Sequence, residues 1–317
     1  MFSHLDVSVI IPVYNAEQFI AKAVDSVLQF PEVKEVLLID DGSKDHSFEI
    51  CKELSEKYSI VKALQHPDKK NHGVSATRNL GIDLATQEFI TFLDADDYWL
   101  PNRFDYDREY FKYPKIDGVF GTICTEFVTE EGKRQYLEKF GGNGLTGVFY
   151  EAEGMDVFYG LTEKNKGFGT FFSMIALTIK KKSLENPKIR LNEELRISED
   201  NDFINRIAYH AYLKAAPVNI PIAVRTGHEN NNITKIKNHS TEFFHHRSLL
   251  FKSLYQWGKK TKIPKDILEI FKYKYLYMKV ASETGIKKYF NFVRYAIINP
   301  KLLKTRYRYY ALKNNKI

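Results

Sequence analysis

The chain has 317 residues, of which 44% are hydrophobic and 27% are charged, and its formal net charge at pH 7 is +7. The length allows one large α/β domain with an appendage or two modest domains, and the composition is that of an ordinary globular protein. No apolar stretch approaches the length of a bilayer-spanning helix. The charge is uneven: residues 231–317 contain 20 Lys and Arg against 4 Asp and Glu, which leaves 27 against 36 in residues 1–230. We therefore predict a boundary near residue 230 between an acidic body and a basic tail.

The first half of the chain alternates between strand and helix patterns. The apolar run VSVIIPV at residues 7–13 predicts a buried strand, and Asn15 is predicted to cap a helix over residues 16–30. Further segments continue the alternation, namely strands at 35–40, 61–65 and 88–93 and helices at 44–58 and 73–86. This regular order predicts right-handed crossovers and an α/β fold, with a mixed, mostly parallel sheet flanked by helices.

The second half of the chain is less regular. Strand-like segments occupy residues 117–129 and 169–180, and helical periodicity returns at residues 198–213. Residues 239–313 predict amphipathic helices rich in Lys, Tyr and Phe. We therefore predict a catalytic domain over residues 1–230 and a basic helical region over residues 231–317.

The amino terminus and the cysteines predict a cytoplasmic protein. Only MFSHLD precedes the first strand pattern, so we expect no signal peptide. Cys51 lies in a helical pattern and Cys124 in a strand pattern, and neither has metal-ligand spacing. We expect both side chains to fill the core in a reducing compartment.

Three of the predicted strands end in polar motifs, PVYN, DDGS and DADD. Because ligands of parallel α/β sheets bind beyond the carboxyl ends of the strands, these motifs predict one shared crevice. Asp94 and Asp96 flank a single residue and can share Mg²⁺ or Mn²⁺ with a substrate diphosphate, while Arg78 can add positive charge toward the same phosphates. Asp41 is placed to accept hydrogen bonds from a base edge or a ribose, and Gly42 allows close approach of the backbone.

Other nucleotide-binding and nucleic-acid-binding classes lack their motifs in this sequence. No G-x-G-x-x-G follows the first strand and no G-x-x-x-x-G-K-[ST] occurs, which argues against a dinucleotide cofactor and a P-loop. The basic tail is compatible with nucleic acid, but no recognised reader motif occurs, so we expect no nucleic-acid partner.

Five motifs occur in the order VSVIIPVYNAEQFI, LLIDDGSKDHS, GVSATRNLGI, FLDADDYW and SEDNDF. Together they resemble the motifs of the family 2 inverting glycosyltransferases with the GT-A fold, over roughly residues 6–230. The resemblance is to bacterial, non-processive members, since the Q-x-x-R-W motif of processive synthases is reduced to YQWGKK. It implies transfer of one hexose or N-acetylhexosamine from a UDP-sugar to a hydroxyl of a glycan or lipid-linked acceptor. The expected setting is cell-surface polysaccharide or lipopolysaccharide synthesis.

The same resemblance implies roles for eight residues. Those assigned to the nucleotide-sugar are Pro12, Tyr14, Asp41, Asn71, Arg78, Asp94 and Asp96. Within this set, Asp41 is expected on the uracil edge, and Asp96 is expected to ligate the metal, Mn²⁺ or Mg²⁺. Asp200 takes the position of the catalytic base, with Glu199 as the alternative base.

Several interpretations stay open at the level of sequence. Asp41 can instead form the turn before Gly42, Arg78 can lie on a solvated helix face, and His228 can be a metal ligand or a surface histidine. The basic tail predicts binding to anionic lipid at the inner face of the cell membrane, with an oligomerisation arm as the alternative. A sugar-nucleotide pyrophosphorylase and a non-catalytic nucleotide-sugar-binding module are the alternative functions.

Overall fold

The computed structural model describes residues 5–140, 145–229, 231 and 236–312. The chain forms two compact units. One unit contains Met1–Val128, Gly142–Glu193 and Phe203–Gly227, and the other contains Thr129–Gly141, Glu194–Asp202 and His228–Ile317. The boundary between Gly227 and His228 lies close to residue 230. The functional division into a catalytic domain and a basic helical region stays a prediction.

The first unit is built on two sheets. Its strands are β1 (Val7–Val13), β2 (Val33–Asp40), β3 (Val61–Gln65), β4 (Phe89–Phe92), β5 (Tyr98–Trp99), β6 (Gly118–Phe120), β7 (Thr122–Phe127), β8 (Leu145–Thr146), β9 (Leu177–Lys180), β10 (Leu213–Ala215) and β11 (Pro221–Gly227). The larger sheet has seven strands in the order β10-β6-β9-β4-β1-β2-β3, and the smaller has four in the order β5-β11-β7-β8. In the larger sheet only β9 runs antiparallel to its neighbours, β4 and β6. The predicted mixed, mostly parallel sheet is confirmed.

The helices of the first half of the chain pack against the strands of these two sheets. They are α1 (Ile20–Leu28), α2 (Ser47–Lys57), α3 (Val74–Leu84) and α4 (Asp105–Tyr110). In α1 the buried residues recur at helical spacing, and they are Ile20, Ala23, Val24 and Val27. In α3 a Cβ added at Gly81 would lie 2.4 Å from Ile10 of β1, so only glycine permits this close packing of α3 on the sheet.

Two of the later strand predictions are wrong in their extent. The predicted strand over 117–129 is two strands, β6 in the larger sheet and β7 in the smaller, separated at Gly121. A Cβ at Gly121 would lie 2.7 Å from Ile222 of β11, so glycine is needed where the chain changes sheets. Of the predicted strand over 169–180, only Leu177–Lys180 pairs, after a 3₁₀ turn at Met174–Ala176.

The remaining helices of the chain include those of the predicted basic region. They are α5 (Glu130–Phe140), α6 (Met155–Leu161), α7 (Glu199–His210), α8 (Thr241–Thr261), α9 (Lys265–Ala281), α10 (Gly285–Ile298) and α11 (Thr305–Leu312). Helix α9 packs against α8, α10 and α11, which confirms the helices predicted over 239–313 within the described residues. In the part of the chain that the structure describes, no helix combines the length and apolar character needed to cross a bilayer.

Candidate active site

The turn after β2 is organised by Asp40. Its buried carboxylate accepts hydrogen bonds from the backbone N–H of Gly42 at 3.1 Å and of Ser43 at 3.2 Å. It also accepts one from Nε2 of Gln65 in β3 at 3.0 Å. Asp40 is therefore the residue that forms this turn, and the alternative that gave this role to Asp41 is wrong.

Asp41 joins this turn to the segment before α3. Its carboxylate is buried and accepts the backbone N–H of His72 at 2.7 Å and of Gly73 at 2.9 Å. Beside it, Gly42 has φ +73°, and an added Cβ would lie 2.9 Å from the backbone nitrogen of Asn71, an exposed residue. Two loops thus meet at the carboxyl ends of β2 and β3. The binding of a uracil edge by Asp41 and of donor by Asn71 remain predictions.

The end of β1 is tied to the same turn through Asn15. Its backbone N–H donates to Oγ of Ser43 at 3.0 Å, and its Oδ1 accepts the backbone N–H of Lys44 at 2.8 Å. The expectation that Asn15 caps a helix is wrong, because α1 begins only at Ile20. Asn15 has φ +49°, a left-handed conformation that asparagine tolerates better than most residues.

Pro12 and Tyr14 lie on either side of the last residue of β1. Pro12 pairs in register with Ile39 of β2 and is half-buried. The side chain of Tyr14 is 47% exposed just beyond the strand, where an aromatic ring can stack on a base. Contact of either residue with a nucleoside stays a prediction.

Two histidines, His66 and His72, contact each other in the segment between β3 and α3. The sequence motifs did not indicate this contact. The rings of His66 and His72 have centroids 4.5 Å apart. Nε2 of His66 lies 3.1 Å from Oγ1 of Thr77 and 3.5 Å from Oδ1 of Asp41. Nε2 of His72 lies 2.8 Å from Oδ1 of Asp68. These contacts fix the loop that precedes α3.

Arg78 projects from α3 to the D-x-D motif. It is 5% exposed, and its Nη2 donates to Oδ1 of Asp94, whose side chain is 38% exposed. The alternative of a solvated Arg78 is therefore wrong. A buried guanidinium supports an accessible carboxylate, which lowers the cost of placing like charges side by side in this turn. Direct contact of Arg78 or Asp94 with a donor remains a prediction.

The D-x-D turn is anchored from β11 by the next acid, Asp97. Its backbone N–H donates to the carbonyl of Asp94 at 3.0 Å, and its Oδ1 accepts the backbone N–H of Thr226 at 2.9 Å. Burial raises the pKa of Asp97 well above its ordinary range, and the neighbouring carboxylates of Asp96 and Asp94 raise it further, against the opposing effect of Arg225. Asp97 therefore positions the motif from inside, and the sequence did not distinguish it from the other acids.

The D-x-D turn suits a metal ion whose ligands come partly from the protein and partly from the substrate. Among the residues described, no group of three or more His, Cys, Asp or Glu side chains is arranged to hold a metal by itself. Mg²⁺ and related cations are commonly held by one or two carboxylates together with substrate phosphates. Asp94 and the half-buried Asp96 offer such a pair at the turn. The assignment of Asp96 as metal ligand stays a prediction.

His228 follows the last residue of β11 and is buried. Its backbone N–H donates to Oδ1 of Asn231 at 2.6 Å, and its Nε2 lies 3.1 Å from Nδ2 of the same side chain. With 9% exposure, His228 is not the surface histidine that one alternative expected. Its role as a metal ligand remains a prediction.

The predicted base lies in the first turn of α7, which carries three acids. Oδ1 of Asp200 accepts the backbone N–H of Asn201 at 2.7 Å, and Asp202 is fully buried and accepts a hydrogen bond from Oγ of Ser253 at 2.8 Å. Carboxylates are favoured at this end of a helix because they face its partial positive charge. Asp202 is thus a structural residue, and the choice of Asp200 over Glu199 as base stays a prediction.

A cavity of about 370 Å³ lies at the amino ends of strands of the larger sheet, opposite the ends that carry the polar motifs. Its walls include Leu5 and Asp6, directly before β1, together with Lys34 of β2 and Phe89 of β4. These positions mark the amino ends of the strands, whereas the polar motifs follow the carboxyl ends. The cavity is therefore separate from the candidate site.

A family model described as "Glycosyl transferase family 2" matches residues 8–180. The minor teichoic acid biosynthesis protein GgaB of Bacillus subtilis is 30% identical over 208 residues, which are 64% of this chain. The matched region spans only 21% of GgaB, so the chain corresponds to about a fifth of that relative.

Two solved structures have a similar fold. Staphylococcus aureus TarS 1–349 in complex with UDP-GlcNAc has a TM-score of 0.59 at 18% identity, covering 96% of this chain and 77% of that chain. The mannosyltransferase PcManGT from Pyrobaculum calidifontis, in complex with GDP-Man and Mn²⁺, has a TM-score of 0.52 at 16% identity and covers 96% and 84%. At these identities the likeness concerns the fold.

Proposed function

The chain belongs to glycosyl transferase family 2 and has the GT-A fold, and from this premise we propose that it transfers one sugar from a UDP-sugar to an acceptor hydroxyl with inversion. The observation that carries the proposal is the pairing of buried Arg78 with accessible Asp94 at the carboxyl ends of the strands of the larger sheet. A turn that carries accessible carboxylates and is held in place by a buried cation is suited to binding a metal–diphosphate ligand.

The donor site of this proposal combines the three strand ends. Tyr14 stacks on the base, Asp41 and Pro12 border the nucleoside, and Asn71 lines the sugar-nucleotide pocket. Asp94 faces the ribose or the sugar, and Asp96 would hold Mn²⁺ or Mg²⁺. The support is that the side chains of Asp41 and Asn15 already accept backbone hydrogen bonds that connect these loops to one another before any donor binds.

The chemistry assigned to the chain is a direct displacement. Asp200 removes the proton of the acceptor hydroxyl while its oxygen attacks the anomeric carbon, and the bond from that carbon to the diphosphate breaks on the opposite face. The nucleoside diphosphate leaves, and the configuration at the anomeric carbon is inverted. A cation bound at Asp96 would neutralise charge on the leaving diphosphate. Arg78 keeps the carboxylate turn in place and adds positive charge to the same region.

The named relatives suggest the classes of donor and acceptor. A UDP-GlcNAc complex of TarS and a GDP-Man complex of PcManGT support a hexosyl or N-acetylhexosaminyl donor, and the second supports Mn²⁺. The name of GgaB supports a cell-surface polymer as the product. Our proposal is that the acceptor is a glycan or lipid-linked saccharide at the inner face of the cell membrane.

The experiment that tests this function is a donor screen with the full chain. UDP-, GDP- and TDP-sugars are incubated with Mn²⁺ and with lipid-linked saccharides extracted from bacterial membranes, and released nucleotide and extended acceptor are measured. We expect one UDP-sugar to release UDP in proportion to sugar transferred. In a parallel incubation with added pyrophosphate, conversion of a UDP-sugar to UTP and a sugar 1-phosphate would instead identify a pyrophosphorylase. Donor binding with neither product would identify a non-catalytic module.

A further inference from the structure

Helix α10 has one apolar face packed inside its unit and a second apolar face turned to solvent. Lys288, Phe292 and Ala296, spaced four residues apart, form the buried face. The solvent face, called here the apolar stripe, has exposures of 89, 51, 67, 56 and 74% at Ile286, Tyr289, Phe290, Val293 and Ile297. The spacing of these residues places all five on one side of the helix.

An exposed stripe of this kind indicates a binding surface. Soluble monomers rarely expose a contiguous patch of large apolar side chains, and patches rimmed by polar residues mark protein or membrane contacts. The stripe cannot be attributed to a frayed helix end, because it extends from the second residue of α10 to the second last. Its helix is also held in place, since Phe292 is buried and Nδ2 of Asn291 donates to Glu283 at 2.8 Å.

The charge around the stripe identifies the partner. Lys287 and Arg294 are exposed, and at about 100° per residue they lie beside Phe290, on the edge of the stripe away from the buried face. Exposed Lys304 and Arg308 follow shortly after α10, within a region of 20 basic and 4 acidic residues. A second copy of this chain would bring two such cationic regions together, which is unfavourable. An anionic surface with an apolar interior complements both features.

We infer that the apolar stripe of α10 docks on the anionic surface of a lipid bilayer, with Lys287 and Arg294 at the level of the headgroups. Helices that combine an apolar face with Lys and Arg at its edge lie in the plane of the interface and bind anionic lipid. Tyr289 suits this boundary because its ring is apolar and its hydroxyl is polar. The helix is already folded in the protein, so docking does not require it to order.

The neighbouring helices make α10 a rigid part of its unit. Tyr307 of α11 stacks on Tyr273 of α9 with ring centroids 5.1 Å apart, and Tyr310 lies 5.9 Å from Tyr277 by the same measure. Helix α10 packs on both α9 and α11. Docking of the stripe would therefore fix the whole helical unit on the bilayer, where a lipid-linked acceptor resides. Lipid docking itself does not depend on the proposed function. Only its link to a lipid-linked acceptor rests on that function.

The test uses the full chain and vesicles of equal parts phosphatidylglycerol and phosphatidylcholine, compared with phosphatidylcholine alone. Co-sedimentation is measured for the wild type and for the double variant Phe290→Glu/Ile297→Glu. The matched control is Tyr113→Glu/Leu137→Glu, which adds the same charge at two other exposed apolar positions, 57 and 43% accessible. We expect at least a tenfold loss of vesicle affinity in the α10 variant and less than a twofold loss in the control.

Two further measurements separate the outcomes. Wild-type binding should require phosphatidylglycerol and weaken with salt, because screening acts on exposed charges. The affinity for UDP with Mn²⁺, measured by calorimetry, should be equal in all three proteins. A loss of vesicle binding can then be distinguished from a loss of donor binding. Equal vesicle binding by both double variants, or indifference to phosphatidylglycerol, would overturn the inference. A wild-type dimer that the α10 variant dissociates, with no vesicle binding by either, would overturn it in favour of a second copy.

Discussion

The guanidinium of Arg78 in α3 donates a hydrogen bond to the carboxylate of Asp94, which follows β4. Arg78 is 5% exposed, whereas the side chain of Asp94 is 38% exposed. The guanidinium is thus buried, whereas the carboxylate is accessible to solvent. This one contact links the helix after β3 to the D-x-D turn, and it explains how a strand can end in three acids without a prohibitive cost in repulsion.

The first prediction concerns that pair. Arg78→Met removes the cation but keeps much of the buried stem, so the turn should lose its support. We expect the free energy of unfolding to fall by about 1–3 kcal/mol and the affinity for UDP with Mn²⁺ to fall by at least tenfold. Denaturant unfolding and calorimetry measure the two effects. Arg78→Lys, which keeps the charge without the planar fork, should lose less, and unchanged UDP affinity in Arg78→Met would contradict the donor-site role.

The second prediction concerns the contact between the two loops at Gly42. Gly42→Ala must place a Cβ at φ +73°, 2.9 Å from the backbone of Asn71, so the loop before α3 must move. Gly167 offers a control, because it also has positive φ, +84°, but has open space around its Cβ position. Both variants should lose about 1–2 kcal/mol from backbone strain. Only Gly42→Ala should also weaken UDP binding in calorimetry. Equal UDP affinity in both variants would show that the loop contact is irrelevant to the donor.

A third prediction is a pH dependence of stability that arises at Glu35 in β2. Burial raises the pKa of Glu35, but hydrogen bonds from Lys62 at 2.6 Å, Ser8 at 2.6 Å and Thr86 N–H at 2.8 Å outweigh burial, and the pKa lies below its ordinary range. Because the folded pKa is lower than the unfolded one, this contribution is complete above the ordinary Glu value of about 4.3. It is lost as the pH falls through the folded pKa.

Glu35→Gln should therefore lower the free energy of unfolding at neutral pH by about 1–3 kcal/mol and flatten its decline in acid. Urea unfolding at neutral pH and below the ordinary Glu pKa measures both changes. Glu56→Gln, at an exposed carboxylate of α2, is the matched control and should change neither. An acid decline as steep in Glu35→Gln as in the wild type would assign the pH dependence to other groups.

The strands that the sequence predicted best are those whose limits coincide with a change of residue type. The apolar run of β1 and the segment of β3 were predicted with the observed bounds, because polar or turn residues follow each directly. The segment over 117–129 was predicted as one strand, since a β-pattern does not show where a chain leaves one sheet for another. That change happens at Gly121, and its cause is the distant Ile222.

The candidate site shows the same limit. Motif order indicated Asp41, Arg78 and the D-x-D acids, and the structure brings Arg78 and Asp94 together. The sequence could not show which of the adjacent acids Asp40 and Asp41 forms the turn, because either carboxylate could accept the N–H groups of Gly42 and Ser43. It also could not show that Asp97 anchors the motif, because the partner of Asp97 is Thr226 on β11, far along the chain. Asn15 had a local helix-capping pattern, and contacts to the loop after β2 override it.

The fourth prediction distinguishes the two acids at the start of α7. Asp200→Asn keeps the shape of the side chain but cannot accept the acceptor proton, so sugar transfer should fall by about 10²–10⁴-fold. UDP and Mn²⁺ should bind it normally. Glu199→Gln is the matched control and should lose much less transfer activity. Near-normal transfer by Asp200→Asn with an inactive Glu199→Gln would move the base by one residue, and activity in both would place it elsewhere.

Calorimetric titration of UDP into the wild type and Asp96→Ala, each with Mn²⁺ and with EDTA, tests the metal-dependent donor site most directly. We expect binding to the wild type with Mn²⁺, strong weakening by EDTA, and no measurable binding to Asp96→Ala in either condition. Asp105→Ala, which removes an exposed carboxylate of α4, should behave as the wild type. Equal UDP affinity in the wild type and Asp96→Ala, with and without Mn²⁺, would contradict a metal-dependent donor site at the D-x-D turn.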